Sequence, residues 1–276
     1  MSLIDTHTHF DVAVFDPDRA EQSELAYQAG VRHLVLIGFL AKYFPQMVAC
    51  YEEMRSLPVS PQAHLAFGLH PFYILEQCES DVITLENFIQ NYPSIALGEI
   101  GLDTFTPEMK IPKVYAKQQH FFSQQLSLAK NYQLPVLLHI RRAHADVLKI
   151  LKSQQFSQGG IAHSFSGGIQ EAKAFVNLGF KIGVTGQITN PNAKKLRHTI
   201  MQLVKTVGIE SLVIETECPD MTPIACHHTH GRRNVSANLP YVVDTLCELT
   251  GLKRTTLVQH LWHNSCSALQ VDWAYG

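Results

Sequence analysis

Eight short apolar runs, separated by stretches with helical spacing, constrain the fold more than any other feature of this sequence. They occupy residues 2–9, 33–39, 64–70, 95–103, 135–140, 160–165, 181–188 and 212–217. Their length and β-branched content suit parallel strands buried on both faces, which read as continuous apolar runs. Helical spacing is visible at 18–29, 114–132, 144–155, 169–178, 192–207, 238–249 and 255–269. Gly30, Gly179 and Gly208 follow three of these segments, as expected where a helix stops in a left-handed turn. Alternating strands and helices predict an α/β chain, and eight of them in 276 residues predict a closed (β/α)8 TIM barrel. An open doubly wound sheet meets the same local pattern. Neither G-x-G-x-x-G nor G-x-x-x-x-G-K-[ST] occurs, so nothing points to a nucleotide cofactor. No linker, low-complexity tract or charge block interrupts 1–276, which reads as one domain.

Composition narrows the function classes. The net charge is −2, so the chain cannot hold nucleic acid by bulk electrostatics, and a phosphate substrate must be held by local charge or metal ions. The six cysteines form no C-x-x-C pair, which suggests reduced thiols and a cytoplasmic location. The stretch LIDTHTHF at the start lacks the basic and apolar regions of a signal peptide, and no apolar run has membrane-spanning length. No membrane is expected, and no partner protein is identifiable from the residues.

The polar residues on the runs carry the functional signal. In the first run Leu3, Asp5, His7 and His9 share one parity, and two imidazoles on one strand face can reach one cation. Glu99 lies near the end of the fourth run with Asp103 after it, His139 ends the fifth, His163 sits late in the sixth, and Glu215 and Glu217 end the eighth. In a barrel these C-terminal ends converge on one mouth, where active sites form. Acids and imidazoles buried there without partners would be costly. The mixed nitrogen and oxygen set suits divalent zinc, manganese, iron, cobalt or magnesium, without distinguishing them. His7, His9, Glu99, His139, His163 and Glu217 are too many for one tetrahedral site. They fit two ions about 3.5–4 Å apart, a pair that would acidify a bound water for hydrolysis.

At this point the segments DTHTHFD, GLHP, GEIGLD, PVLLHIRR, AHSFSG, KIGVTGQIT and ETECPDM resemble, in order and over nearly the whole chain, the TatD-type metal-dependent deoxyribonucleases of the amidohydrolase superfamily. RRAH after the fifth run and KIGVTG in the seventh are most similar to the YjjV branch. The resemblance implies that His7, His9 and the acid of the eighth run hold one metal. It implies that Glu99 bridges to a second, completed by His139 and His163. It also implies that Glu217 orients or deprotonates the attacking water. The substrate it implies is DNA, processed from the 3′ end by phosphodiester hydrolysis. Two departures stand out. The family reads E-T-D where this chain reads Glu215-Thr216-Glu217, one methylene or about 1.5 Å longer in reach. It reads R-N-E-P where this chain reads Arg233-Asn234-Val235-Ser236.

Further residues lie near the expected mouth. Asp5, His70, Asp103, Arg141 and Glu215 are placed to touch substrate or to support the ligands, with Glu215 one pleat below Glu217. Arg141 or Arg142 could clamp a phosphate, and Ser164 and Ser166 could bond its oxygens or simply form a turn. The tract CHHTHGRR at 226–233 has zinc-like composition but no standard zinc spacing, and its arginines could form a basic lip for nucleic acid. Two other readings remain open: a small-molecule or acyl/amide hydrolase on the same binuclear barrel, and a metal-binding scaffold with weak activity.

Overall fold

The apolar runs pair edge to edge because each strand is covered on both sides and its backbone groups can be satisfied only by neighbours. In the computed structural model, which describes residues 2–227 and 233–276, the strands are β1 (Leu3–Thr8), β2 (Val31–Ile37), β3 (Gln62–Phe67), β4 (Ser94–Asp103), β5 (Val136–Arg141), β6 (Gly160–Ala162), β7 (Phe180–Val184) and β8 (Leu212–Ile214). They form one parallel sheet in the order β1 to β8. The helices among the described residues are α1 (Arg19–Gln28), α2 (Phe44–Ser56), α3 (Glu79–Asn91), α4 (Pro112–Asn131), α5 (His144–Ser153), α6 (Ile169–Val176), α7 (Lys194–Thr206), α8 (Leu239–Thr250) and α9 (Arg254–Leu269). The result is a nearly closed TIM barrel, as the alternation predicts.

The seam between β1 and β8 is closed mostly beyond the end of β8. Glu217 N–H donates to His7 O at 3.0 Å, and His9 N–H to Cys218 O at 2.9 Å. The carboxylate of Asp5 accepts from Thr216 N–H at 2.9 Å and Thr216 Oγ1 at 2.6 Å. Inside the barrel Val35, Ile37, Ala66, Ala96, Leu137, Ile161 and Val213 pack on Ala268 and Leu269, with Trp273 against them. The interior is therefore filled and not a pore, and the C-terminal tail covers its floor. Strand alternation then sets the mouth: His139, His163 and Glu215 each follow an interior residue (Leu137, Ile161, Val213) by two positions.

Some boundaries differ from the sequence reading. The helices α2 and α3 are absent from the sequence reading, although each has an apolar stripe, Met47, Cys50 and Met54 on α2 and Leu85 and Ile89 on α3, that faces the core. The second run starts earlier than expected, at Val31. The strands β6, β7 and β8 end at Ala162, Val184 and Ile214, so His163, Glu215 and Glu217 stand just past strand ends. The chain leaves the extended region at Ser164 (φ 42°) and Glu217 (φ 61°), so simple two-residue parity no longer applies to Glu217. No helix among the described residues is long and apolar enough to cross a membrane.

Candidate metal centre

The centre forms because β1, β4, β5, β6 and β8 deliver imidazoles and carboxylates to one point. Three sets of ligand atoms lie within 4.8 Å of one another: His7, His9 and Glu99; His7, His163 and Glu217; and His70, Glu99 and His139. Glu99 is the hub. Its Oε2 is 3.3 Å from His7 Nε2 and 3.8 Å from His9 Nε2, and its Oε1 is 2.7 Å from His139 Nδ1. Glu217 Oε2 is 3.1 Å from His7 Nε2 and 3.2 Å from His163 Nε2, so the glutamate in place of aspartate reaches the centre. His139 and His163 do not share one of these sets. His163 instead stacks on His7, with ring centroids 3.5 Å apart.

The hydrogen bond at the far ring nitrogen decides what each imidazole offers the centre. His9 Nδ1 lies 3.1 Å from the carbonyl of Ile37 and must donate to it, leaving a lone pair on Nε2. His139 Nε2 donates to Asp103 Oδ2 at 2.9 Å, leaving Nδ1 for the centre. His163 Nδ1 faces Glu215 Oε1 at 2.9 Å, leaving Nε2. His70 is the reverse: its Nδ1 accepts from Phe72 N–H at 3.0 Å. In the neutral ring the proton is then on Nε2, which points at Glu99 Oε1 at 3.3 Å. His70 therefore presents an N–H, despite its proximity to Glu99 and His139, and is a donor to the site, not a ligand.

Glu215 and Glu217, paired in the sequence, grip opposite nitrogens of His163. Glu215 also accepts from Ser164 N–H at 2.6 Å. A Cβ on Gly183 would fall 2.4 Å from Glu215 Oε1, so β7 carries glycine where the supporting acid must pass.

The electrostatics are those of a cation site. Burial would raise the Glu99 carboxyl, yet the imidazoles of His70, His163 and His7 hold it well below the usual range. The same contest, won by His163 and His7, keeps Glu217 ionised. Burial opposes charge on His139, but its bonds to Asp103 and Glu99 prevail and lift it to about 9, so the Nδ1 proton shared with Glu99 must leave before that nitrogen can bind a cation. Burial is likewise outweighed at His163, which Glu215, Glu217 and Glu99 raise well above its ordinary value. At His7 burial and the adjacent His163 prevail and lower it. Both ring nitrogens of His7 and Glu217 Oε2 are buried without a hydrogen-bond partner. Orphaned lone pairs facing two ionised carboxylates are the donor set that a divalent cation satisfies. His7, His9, Glu99, His139, His163 and Glu217 fit such ions.

The other residues singled out by sequence divide by place. Asp103 is buried, holding His139 and capping Phe105 N–H at 2.7 Å. Asp5 is fully buried at the seam, where it also accepts from Ser236 Oγ at 2.8 Å. It supports the Glu217 loop and cannot touch substrate. Arg141 is exposed beside the mouth, its guanidinium 3.5 Å from the centre of the Phe105 ring, with Arg142 at 4.7 Å. In the 226–233 tract, residues 228–232 lie outside the described residues. Arg233 is no part of a free basic lip, because it forms an ion pair with Asp18 and donates to Val14 O. Asn234 Nδ2 donates to Thr216 O at 2.9 Å, so the Arg233–Ser236 segment anchors the Glu217 loop from behind.

Two cavities flank the centre. One of about 670 Å³ runs along the β5–β8 side past Ser164, Ser166, Gln187 and Lys195. The other, about 310 Å³, lies on the β1–β4 side against Phe39, Phe72 and Tyr73. Arg141, His139, Glu217 and Asp220 line both. The sequence reading missed Phe39, Tyr73, Gln187 and Lys195, though Phe39 follows the second strand at its C-terminal end.

Residues 4–270 match the family model described as TatD related DNase. An uncharacterized metal-dependent hydrolase of Escherichia coli K12, YjjV, is 35% identical over 271 residues, 98% of each chain. One from Haemophilus influenzae is 34% identical over 270 residues, 96% of this chain and 98% of its own. The crystal structure of the Escherichia coli TatD homolog YjjV superposes with a TM-score of 0.87 at 34% identity, covering 98% of both chains. A TatD-family hydrolase from Entamoeba histolytica shares the fold at TM-score 0.81 and 19% identity, over 97% of this chain and 98% of that one. With its barrel, its imidazole–carboxylate centre and this likeness along nearly its full length, the chain belongs to the TatD-related DNase family of metal-dependent hydrolases.

Proposed function

We propose that this chain hydrolyses phosphodiester bonds, with DNA as substrate, at a binuclear centre held by His7, His9, Glu99, His139, His163 and Glu217. The observation that carries the reading is the position of Glu217 in the mouth, its Oε2 3.1 Å from His7 Nε2 and 3.2 Å from His163 Nε2, lining both cavities together with the exposed Arg141. Two divalent ions held by these residues would supply Lewis acidity and acidify a bound water. The residues perform the rest. Glu217 accepts a proton from the attacking water, whose oxygen bonds to phosphorus as the bond to the leaving sugar oxygen breaks. Glu217 returns that proton, directly or through a water, to the leaving oxygen, giving a phosphomonoester and a free hydroxyl. Arg141 and the His70 N–H bind the non-bridging oxygens, where charge accumulates in the transition state.

Asp220, exposed and lining both cavities, repels a polyanion and favours a second reading, a smaller ester. A hydrolysis panel separates the two. Single-stranded and duplex DNA, a simple aryl phosphodiester and carboxylic esters are incubated with magnesium, manganese, zinc or cobalt and with a chelator control. Metal-dependent shortening of DNA, abolished by the chelator, is expected. Turnover of the small esters with intact DNA under every metal would overturn the DNA assignment.

A further inference from the structure

We propose that Gln118 and Gln125 of α4 are positioning residues of the metal centre. Each grips the backbone of one residue at a lip of the cleft between β3 and β4, and through it sets His139 or His70. This assignment rests on the metal-centre and phosphodiesterase reading above and names what holds the β3–β4 side of that centre in place.

The cleft follows from the strand pairing. β3 and β4 pair from Leu65 with Ser94 to Phe67 with Leu97, whereas β4 runs on beside β5 as far as Asp103 with Arg141. Buried backbone that has lost its neighbouring strand must find other partners. At Asp103 the partner is Gln118: Asp103 N–H donates to Gln118 Oε1 at 2.8 Å, and Gln118 Nε2 donates to Asp103 O at 3.0 Å. Gln125 does the same for Leu69, just past the end of β3. Leu69 N–H donates to Gln125 Oε1 at 2.7 Å, and Gln125 Nε2 donates to Leu69 O at 3.1 Å. A primary amide carries an acceptor and donors side by side, so it can stand in for the missing strand. The two glutamines lie seven residues apart, about two turns along one face of α4, and each is 1% exposed.

Glutamine is a mostly exposed residue type, and packing alone would be met at these positions by leucine or methionine. The two gripped residues are distinguished by what they hold. Asp103 Oδ2 accepts from His139 Nε2 at 2.9 Å, and its Oδ1 accepts from Phe105 N–H at 2.7 Å. Its carboxylate thereby turns His139 Nδ1 to the centre, and the chain Gln118–Asp103–His139 ends at a ligand atom. Leu69 precedes His70, whose Nε2 faces Glu99 Oε1 at 3.3 Å, so the chain through Gln125 ends at a hydrogen-bond donor. Partners outside the ligands fix ring orientation and basicity. One helix therefore sets metal affinity through Gln118 and the aim of the His70 N–H through Gln125.

The test is a pair of double-mutant cycles. Gln118→Met and Gln125→Met keep the size of the side chain and remove its bonds. Zinc affinity is measured by competition with a chromophoric chelator, and kcat with an aryl phosphodiester and the cation that supports turnover. Gln118→Met should weaken zinc binding about tenfold and have no further effect in an Asp103→Ala background. Gln125→Met should leave zinc affinity unchanged, lower kcat about tenfold, and have no further effect on kcat in a His70→Ala background. An amide that only fastened the helix to the sheet would lower the urea midpoint and either leave both readouts unmoved or shift them by the same factor in both backgrounds. Either result overturns the positioning role and leaves the metal-centre reading intact. Where the methionine variants do not fold, Gln118→Ala and Gln125→Ala replace them, since they leave room for waters to bond the freed backbone groups. A native protein that binds neither zinc nor manganese overturns the metal-centre reading and the positioning roles with it. One that binds zinc but cleaves no diester overturns the phosphodiesterase reading and the role of Gln125, and the zinc cycle then decides Gln118.

Discussion

His70 and Glu217 carry the sharpest predictions at the scale of single residues. Because His70 turns an N–H toward the centre, His70→Ala should leave bound metal, measured by plasma emission, unchanged. It should lower kcat by about 10²-fold or more, the usual cost of losing one donor to a transition-state oxygen. Loss of metal in that variant would instead make His70 a ligand. Glu217→Gln keeps the shape and removes the charge between His7 and His163, so it should lose both metal and activity with the fold retained by circular dichroism. Glu217→Asp withdraws the carboxylate by about 1.5 Å from imidazoles placed for a glutamate. An activity loss of about 10²-fold is expected from such a displacement, and unchanged kcat/KM would show that reach is not limiting.

Among the elements, the β1–β8 seam matters most for the site, because both halves of the centre are tied across it. Burial pushes the Asp5 carboxyl up to about 7 against its bonds from Thr216 and Ser236, so burial has a cost even with three donors satisfied. Asp5→Ala would leave those donors unpaired in a dry seam and should cost about 3 kcal/mol of unfolding free energy, measured by urea denaturation. It should also lower kcat, since Thr216 adjoins both Glu215 and Glu217. Loss of stability with unchanged kcat would separate the seam from the site. Pattern reading located Asp5 and Glu215 as members of the mouth by alternation. It could not tell that one faces the seam and the other faces His163, because Asp5 meets Thr216, 211 positions away, and Glu215 meets His163, just past another strand.

For the molecule as a whole, the barrel floor sets much of the stability and its pH response. Trp273 stacks on His33 at 4.0 Å and on His64 at 4.2 Å, and His33 Nδ1 lies 3.0 Å from His64 Nε2. Trp273 is only half-buried, so Trp273→Ala should cost about 2 kcal/mol, less than a fully buried tryptophan. Burial lowers His33 to about 4, and burial with His33 beside it lowers His64 to about 3. Below about 6.5 the unfolded chain binds protons that the folded rings refuse. Stability from this pair is therefore full above pH 6.5 and is lost as pH falls toward 4. At pH 5 the loss is on the order of 2–3 kcal/mol, with His33 discounted for its exposure. Asp5 at about 7 and Asp11 at about 6, both raised by burial, titrate in the opposite sense. The measurable quantity is thus the difference from His64→Gln: between pH 7.5 and 5 the native protein should lose more of its urea midpoint than the variant. Parallel slopes would rule the pair out as the acid-sensitive element.

The sequence by itself determined eight paired parallel strands alternating with helices, because apolar runs covered on both faces can satisfy their backbone groups only by pairing with one another; closure into a barrel was decided by the contacts of β1 with the segment after β8. It also pointed to His7, His9, Glu99, His139 and His163 at the C-terminal ends of the strands, because alternation along a strand is local; Asp5 and Glu217 it could not place, one being buried at the seam and the other lying past a left-handed turn. The partition of those groups was decided by tertiary structure. Which nitrogen of His70 carries the proton depends on Phe72 N–H, and which acid supports His163 depends on space left at Gly183. Whether Glu217 reaches His7 depends on a left-handed turn anchored by Asn234 and Ser236. The first is a local cap two residues apart, but the other two are contacts between residues on different elements, whose distances are fixed only when the barrel closes.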